Sequence, residues 1–201
     1  MTPANKNKRF PSEALSAHEA EALLKACGRS PTGIRNRAAL TLMYRAGLRC
    51  AEALSVRRCD VEFDGEGRAT VRVLRPKGAG RGKPPRIVGL GAKSARALRA
   101  QLDSRDFGES SPLCSTRNGT APSTAYFRSL LPRLARKAGI TRRVHCHALR
   151  HSFAYEMAME GVPVPVISKA LGHGAIGTTM IYLSSIAPMD VILSMQARDS
   201  D

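Results

Sequence analysis

Along most of this chain apolar residues return at helical spacing, but in one place the period drops to two and then recovers. That single switch restricts the folds open to it. Thr70-Val71-Arg72-Val73 and Arg86-Ile87-Val88-Gly89-Leu90 alternate as strands do. Between them lies Pro76-Lys77-Gly78-Ala79-Gly80-Arg81-Gly82-Lys83-Pro84, a glycine-rich basic turn. A hairpin or small antiparallel sheet is therefore expected inside a mainly α protein, an α+β fold.

The helical segments carry their own punctuation. Ser16-Ala17-His18-Glu19 is a capping box that predicts a helix through about Cys27, ended by Gly28. A second helix is predicted from Ile34 to Ala46, with Leu40, Met43 and Tyr44 on its buried side and Gly47 as the stop. A short helix holding Ala51, Glu52, Ala53 and Leu54 follows. After the strands, helical spacing returns from Ala92 to Leu102, and residues 104–122 are rich in Ser, Gly and Pro and read as loop. Further helices are predicted over Thr124–Ala138 (Pro132 a kink, Gly139 the stop), His147–Glu160 (ended by Gly161) and Pro165–Leu171 (ended by Gly172). Thr178–Ser184 begins a turn or helix, and Pro188 opens a last amphipathic helix over about 188–196. Residues 1–11 read as a basic disordered tail and 12–201 as one domain.

Charge narrows the function. Lys and Arg number 32 against 16 Asp and Glu, so the chain carries +16 and calls for a polyanionic partner. No apolar run approaches the roughly 20 residues of a spanning helix, and Met1–Ala20 holds no signal-peptide core. A cytoplasmic nucleic-acid binder with no membrane association is expected. Aromatic residues make up 4% and Trp is absent, which leaves few platforms for stacking single-stranded bases. Double-stranded DNA held through its phosphates fits better. The five cysteines (Cys27, Cys50, Cys59, Cys114, Cys146) are odd in number and contain no CxxC pair, so neither a disulfide framework nor a zinc ribbon is indicated. His145, Cys146, His147 and His151 cluster, but contiguous residues cannot easily converge on one tetrahedral ion, so no metal site is assigned.

Three segments hold the parts that breaking a phosphodiester requires: cations of fixed geometry, a nucleophile, an acid and a base. Gly47-Leu48-Arg49-Cys50-Ala51-Glu52 places Arg49 at a helix start with Glu52 three residues on to orient it. In His147-Ala148-Leu149-Arg150-His151, His147 and Arg150 share one helical face and can converge on one phosphate. Leu171-Gly172-His173 is followed nine residues later by Tyr182. Lys77 lies in the hairpin turn, where a tip can reach a DNA groove.

GLRCAE, KG at a hairpin, HALRH, LGH and then a tyrosine resemble, in order and spacing, the catalytic domain of the tyrosine recombinase (phage integrase) family. The resemblance covers about residues 12–190. It implies that Tyr182 forms a 3′-phosphotyrosyl link without a cofactor. It also implies that Arg49 and Arg150 bind the non-bridging oxygens, that Lys77 protonates the 5′-oxygen, and that His147 assists proton transfer. His173 would hydrogen-bond the phosphate and Glu52 would support the site. Cys146 stands where the family usually has proline, and Ala51 where serine is common. The family's N-terminal clamp domain is expected to be absent, which leaves either a short natural recombinase or an excised domain. A tetramer on paired DNA sites is the expected assembly, with the 188–196 helix packing in trans or on its own domain.

Plainer readings stand beside these. Arg81 and Lys83 share the turn of Lys77 and are alternative DNA contacts. His151 reads as a packing residue, Tyr44 as core, and Tyr155 as core or phosphate contact; Tyr126 has no motif beside it. Two other functions remain open: a type IB topoisomerase, which uses the same chemistry, and a non-enzymatic helix-turn-helix regulator built on Val164–Leu183.

Overall fold

The computed structural model describes residues 14–74, 85–104 and 108–173. These residues place a three-stranded antiparallel sheet against a helical body, as the change of period predicts. The Lys77–Arg81–Lys83 turn, Tyr182, the 178–184 segment and the 188–196 helix lie outside the described residues, as does the 1–11 tail.

Helix α1 (Ala17–Ala26) starts at the expected capping box, with Ser16 Oγ accepting from the Glu19 amide and Glu19 accepting from the Ser16 amide. Helix α2 (Pro31–Arg45) begins three residues before the expected Ile34. Ser30 caps it by accepting from the Gly33 amide, and Pro31 fills the first turn, where its missing N–H costs nothing. From Ala38 to Tyr44 every α2 residue is buried, so this helix forms the centre rather than one amphipathic wall. Helices α1, α3 (Cys50–Ser55), α4 (Ala92–Asp103) and α6 (Cys146–Met159) all pack against it. Helix α5 (Thr124–Lys137) closes the far side against α1, α3 and α6, with Pro132 inside its helical run.

The sheet has one more strand than alternation predicts. Strand β1 (Val61–Phe63) pairs with β2 (Ala69–Val73), and β2 with β3 (Arg86–Leu90), in the order β1-β2-β3. A turn centred on Asp64 joins β1 to β2, its carboxylate accepting from the amides of Glu66 and Arg68. Ala69, Val71, Val73, Val88 and Leu90 point into the core, while Ile87 faces out at 67% exposure. Helix α7 (Val164–Leu171) sits against α6 and β3 over a small apolar group of Ala154, Ile167 and Leu171. This packing brings the start of β3, the α2–α3 turn, the start of α6 and the end of α7 to one place. Among the described residues no helix is long and apolar enough to cross a membrane.

Candidate active site

The turn between α2 and α3 is built around Gly47. Its φ is +63°, and a Cβ there would come within 2.5 Å of the Phe153 ring, so neither the backbone angle nor the space admits a side chain. Leaving that turn, Arg49 caps α3 in an extended conformation. Glu52, in the first turn, reaches back to the Arg49 amide at 2.8 Å and accepts from Arg49 Nη1 at 3.0 Å. The expected partnership of these two residues is present.

Glu52 has a second partner that spacing does not reveal. Arg86, the first residue of β3, donates to both Glu52 oxygens, at 3.2 and 2.8 Å, and through Nε to the Ala170 carbonyl at 2.9 Å. It therefore ties the strand leaving the hairpin to both α3 and the end of α7. A sequence signal existed: Arg86 stands in phase with the buried Val88 and Leu90, and an arginine on the inward register of a strand needs a partner.

Arg150 is fully buried. Its Nη1 donates to the Gly47 carbonyl at 2.5 Å and lies 3.7 Å from a Glu52 oxygen, while Nη2 donates to the Leu171 carbonyl at 2.7 Å. Nη2 also meets His173 Nε2 at 2.9 Å, which makes Nε2 the acceptor and puts the ring proton on Nδ1. The residue expected to face a phosphate thus also holds three separate segments together. Gly172, which ends α7 with φ +65°, leaves room for Arg86: a Cβ there would stand 2.8 Å from a guanidinium nitrogen.

The charges do not cancel. Arg49, Arg86 and Arg150 surround the single carboxylate of Glu52, leaving an excess of positive charge. Burial alone would raise the Glu52 carboxyl, but the Arg86 hydrogen bonds, the Arg49 amide and the two arginine charges outweigh it and hold the group at about 2. His147 is exposed at the start of α6. Desolvation where its ring meets the protein and the positive charges of Arg150 and Arg49 push its pKa down, which favours the uncharged ring. The helix-capping role that a histidine can take at this point belongs instead to His145, whose Nδ1 accepts from the Ala148 amide at 3.3 Å. His151 is half-buried, and burial followed by the charges of His147, His145 and Arg150 lowers it to about 4. Among the described residues no His, Cys, Asp or Glu group is arranged to hold a metal ion.

Two of the other tyrosines are engaged elsewhere. Tyr44 is buried on α2 with its hydroxyl on Glu156, which together push its pKa up, and the Tyr126 hydroxyl accepts from Asn36 Nδ2 at 3.0 Å.

Residues 13–187 match the phage integrase family. A tyrosine recombinase XerC from Xylella fastidiosa is 33% identical over 168 residues, which is 84% of this chain and 54% of that protein. A tyrosine recombinase XerA from Thermococcus kodakarensis is 36% identical over 172 residues, 85% of this chain and 57% of the relative. The chain thus spans about half the length of the curated relatives it matches. Among solved structures, the XerA recombinase superposes with a TM-score of 0.75 at 26% identity over 94% of this chain and 65% of that one. The XerH recombinase in its post-cleavage complex with a difH substrate gives 0.71 at 26% identity, over 86% and 50%. The catalytic domain of the bacteriophage HP1 integrase gives 0.57 at 21% identity, over 92% and 94%, a likeness of fold.

Proposed function

This chain belongs to the phage integrase family, and from that membership we propose that it is the catalytic part of a site-specific recombinase, cutting and rejoining duplex DNA through a phosphotyrosine at Tyr182. The observation that carries the reading is the convergence of Arg49 and Arg150 on the Glu52 carboxylate, with His173 hydrogen-bonded to Arg150, so that three separate segments meet around a net positive charge.

A phosphodiester gains negative charge as its phosphorus is attacked, and donors already fixed in place stabilise that charge without reorganising. In this reading Arg49 grips a non-bridging oxygen, and its exposure of about a third supports that role. Arg150 presents charge from behind the site and sets the ring of His173, whose Nδ1–H is the donor for the phosphate. His147, neutral and exposed, receives the proton of the attacking Tyr182 hydroxyl. Lys77, with Arg81 and Lys83 as neighbours on the same turn, protonates the departing 5′-oxygen. One phosphodiester is exchanged for another of similar energy, so no cofactor is needed, and attack by the 5′-hydroxyl of a partner strand reverses the step.

Recombination joins two duplexes, and the natural unit for that is a tetramer on paired sites, with the 188–196 helix docking on a neighbour. The XerH relative is described as bound to a palindromic substrate, a repeat that suits symmetric binding. A duplex-DNA substrate puts the working protein in the compartment that holds the genome, the cytoplasm of a bacterial or archaeal cell.

The test is covalent trapping on a pool of nicked duplexes, run in EDTA and read on a denaturing gel. The expected result is a shifted protein–DNA band with the native chain and none with Tyr182→Phe. A band that survives Tyr182→Phe would place the nucleophile elsewhere, and intact DNA binding with no band would leave a protein that only binds. Relaxation of supercoiled plasmid independent of any site would indicate topoisomerase action instead.

A further inference from the structure

We infer that Arg86 is a positioning residue for strand cleavage, holding Arg49 and His173 in one rigid frame without itself meeting the DNA. The functional half of this rests on the strand-exchange reading above. Arg86 pairs with Val73 at the base of the hairpin, and its side chain is only 13% exposed. Its guanidinium is committed inward, to two distant segments that each carry an expected phosphate-binding group.

The first arm of the frame is Glu52. Each of its oxygens accepts twice: Oε1 from Arg49 Nη1 and Arg86 Nη1, Oε2 from the Arg49 amide and Arg86 Nη2. By occupying both oxygens, Arg86 limits the hold of Glu52 on the Arg49 guanidinium to a single N–H. Among the described residues that is the one hydrogen bond the Arg49 guanidinium makes, so its other donors stay available to an anion. Without Arg86, Glu52 and Arg49 are able to close into a two-bond pair, and the charge meant for a phosphate is taken up inside the protein.

The second arm is the end of α7, which leads into His173. The last four carbonyls of a helix find no partner within it. Here the backbone satisfies two, with the His173 amide donating to Ser168 at 3.1 Å and the Gly172 amide to Lys169 at 3.0 Å. Arginines satisfy the other two: Arg86 Nε donates to Ala170 at 2.9 Å and Arg150 Nη2 to Leu171 at 2.7 Å. Removing Arg86 orphans the Ala170 carbonyl and loosens the turn from which the His173 ring reaches Arg150. A lysine at this place keeps the charge but has no fork, so it cannot serve both carboxylate oxygens and the carbonyl together.

The experiment uses the full chain and one nicked duplex that it binds, drawn from the trapping pool. The duplex is made with the ordinary scissile phosphate or with a neutral methylphosphonate in its place. Affinity and single-turnover strand cleavage are measured for the native chain, Arg86→Gln and Arg86→Lys. Affinity should stay within about threefold of native, because it is spread over many phosphate contacts. On the phosphodiester, Arg86→Gln should cleave roughly a hundredfold more slowly and Arg86→Lys at least about tenfold. On the methylphosphonate, which lacks the negative charge that Arg49 meets, the deficit should narrow to about tenfold or less. Native-rate cleavage by Arg86→Gln, or an equal deficit on both substrates, would overturn the inference. Arg86→Lys decides the matter if Arg86→Gln does not fold. The imidazole nitrogen NMR spectrum reads the second arm without DNA: His173 should carry its proton on Nδ1 in the native chain and lose that fixed tautomer in the variants. An unchanged His173 signal would overturn the frame. A native chain that cleaves no duplex would count against the strand-exchange reading, and the His173 spectrum would still decide whether Arg86 positions the ring.

Discussion

Glu52 touches no expected reactant, yet three arginines depend on it. It accepts from Arg49 and Arg86, lies 3.7 Å from Arg150, and is held near 2 against an ordinary 4.5. A folded value below the unfolded one means the carboxylate contributes stability that is fully present above about pH 4.5 and is lost as pH falls through about 2. The contribution is on the order of 3 kcal/mol. Chemical denaturation as a function of pH should show this loss in the native chain. In Arg86→Gln the window should move up towards the ordinary carboxylate range, because the arginine that lowers the group most has gone. An unchanged acid profile would mean that Arg86 does not govern Glu52. At this scale the sequence was informative where partners are neighbours: Arg49 and Glu52 sit three residues apart on one helix turn. It was silent where partners are distant, which is why Arg86 escaped notice although its inward register marked it.

Among the elements, helix starts and stops were the most legible features because they are written in a few adjacent residues. The α1 capping box and the glycines ending α1, α2, α5, α6 and α7 all stand where local rules put them. The early start of α2 follows the same rules, since Ser30-Pro31 is itself a start signal. Strand β1 was not legible, because three residues cannot display a period and its pairing depends on β2. The α2–α3 turn makes the sharpest test of how elements locate chemistry. In Gly47→Ala a positive φ and a ring contact at 2.5 Å must both be accommodated. The expected cost is about 2 to 4 kcal/mol, read as a lower denaturation midpoint. DNA trapping should be lost as well, since the Gly47 carbonyl that holds Arg150 moves with the turn. A variant with an unchanged midpoint would show that the turn relaxes freely.

For the whole molecule, the +16 charge is the property that would govern its binding to the duplex DNA proposed as its substrate. Neutralising phosphates releases counterions, so affinity for a duplex should fall with salt. With about six phosphate contacts the loss is on the order of a thousandfold between about 50 and 200 mM. Binding isotherms over that range check it, and a flat response would deny the backbone-dominated mode. Composition, helix punctuation, the change of period and the order of the motifs were determined by the sequence alone, because each is short-range or additive. The burial of Arg150 against carbonyls of Gly47 and Leu171 and the clamp of Arg86 on Glu52 were decided only by the tertiary structure. Those contacts join segments far apart in the chain. Burying a guanidinium is tolerated only where packing delivers acceptors to it, and no local spacing specifies which distant carbonyls those will be.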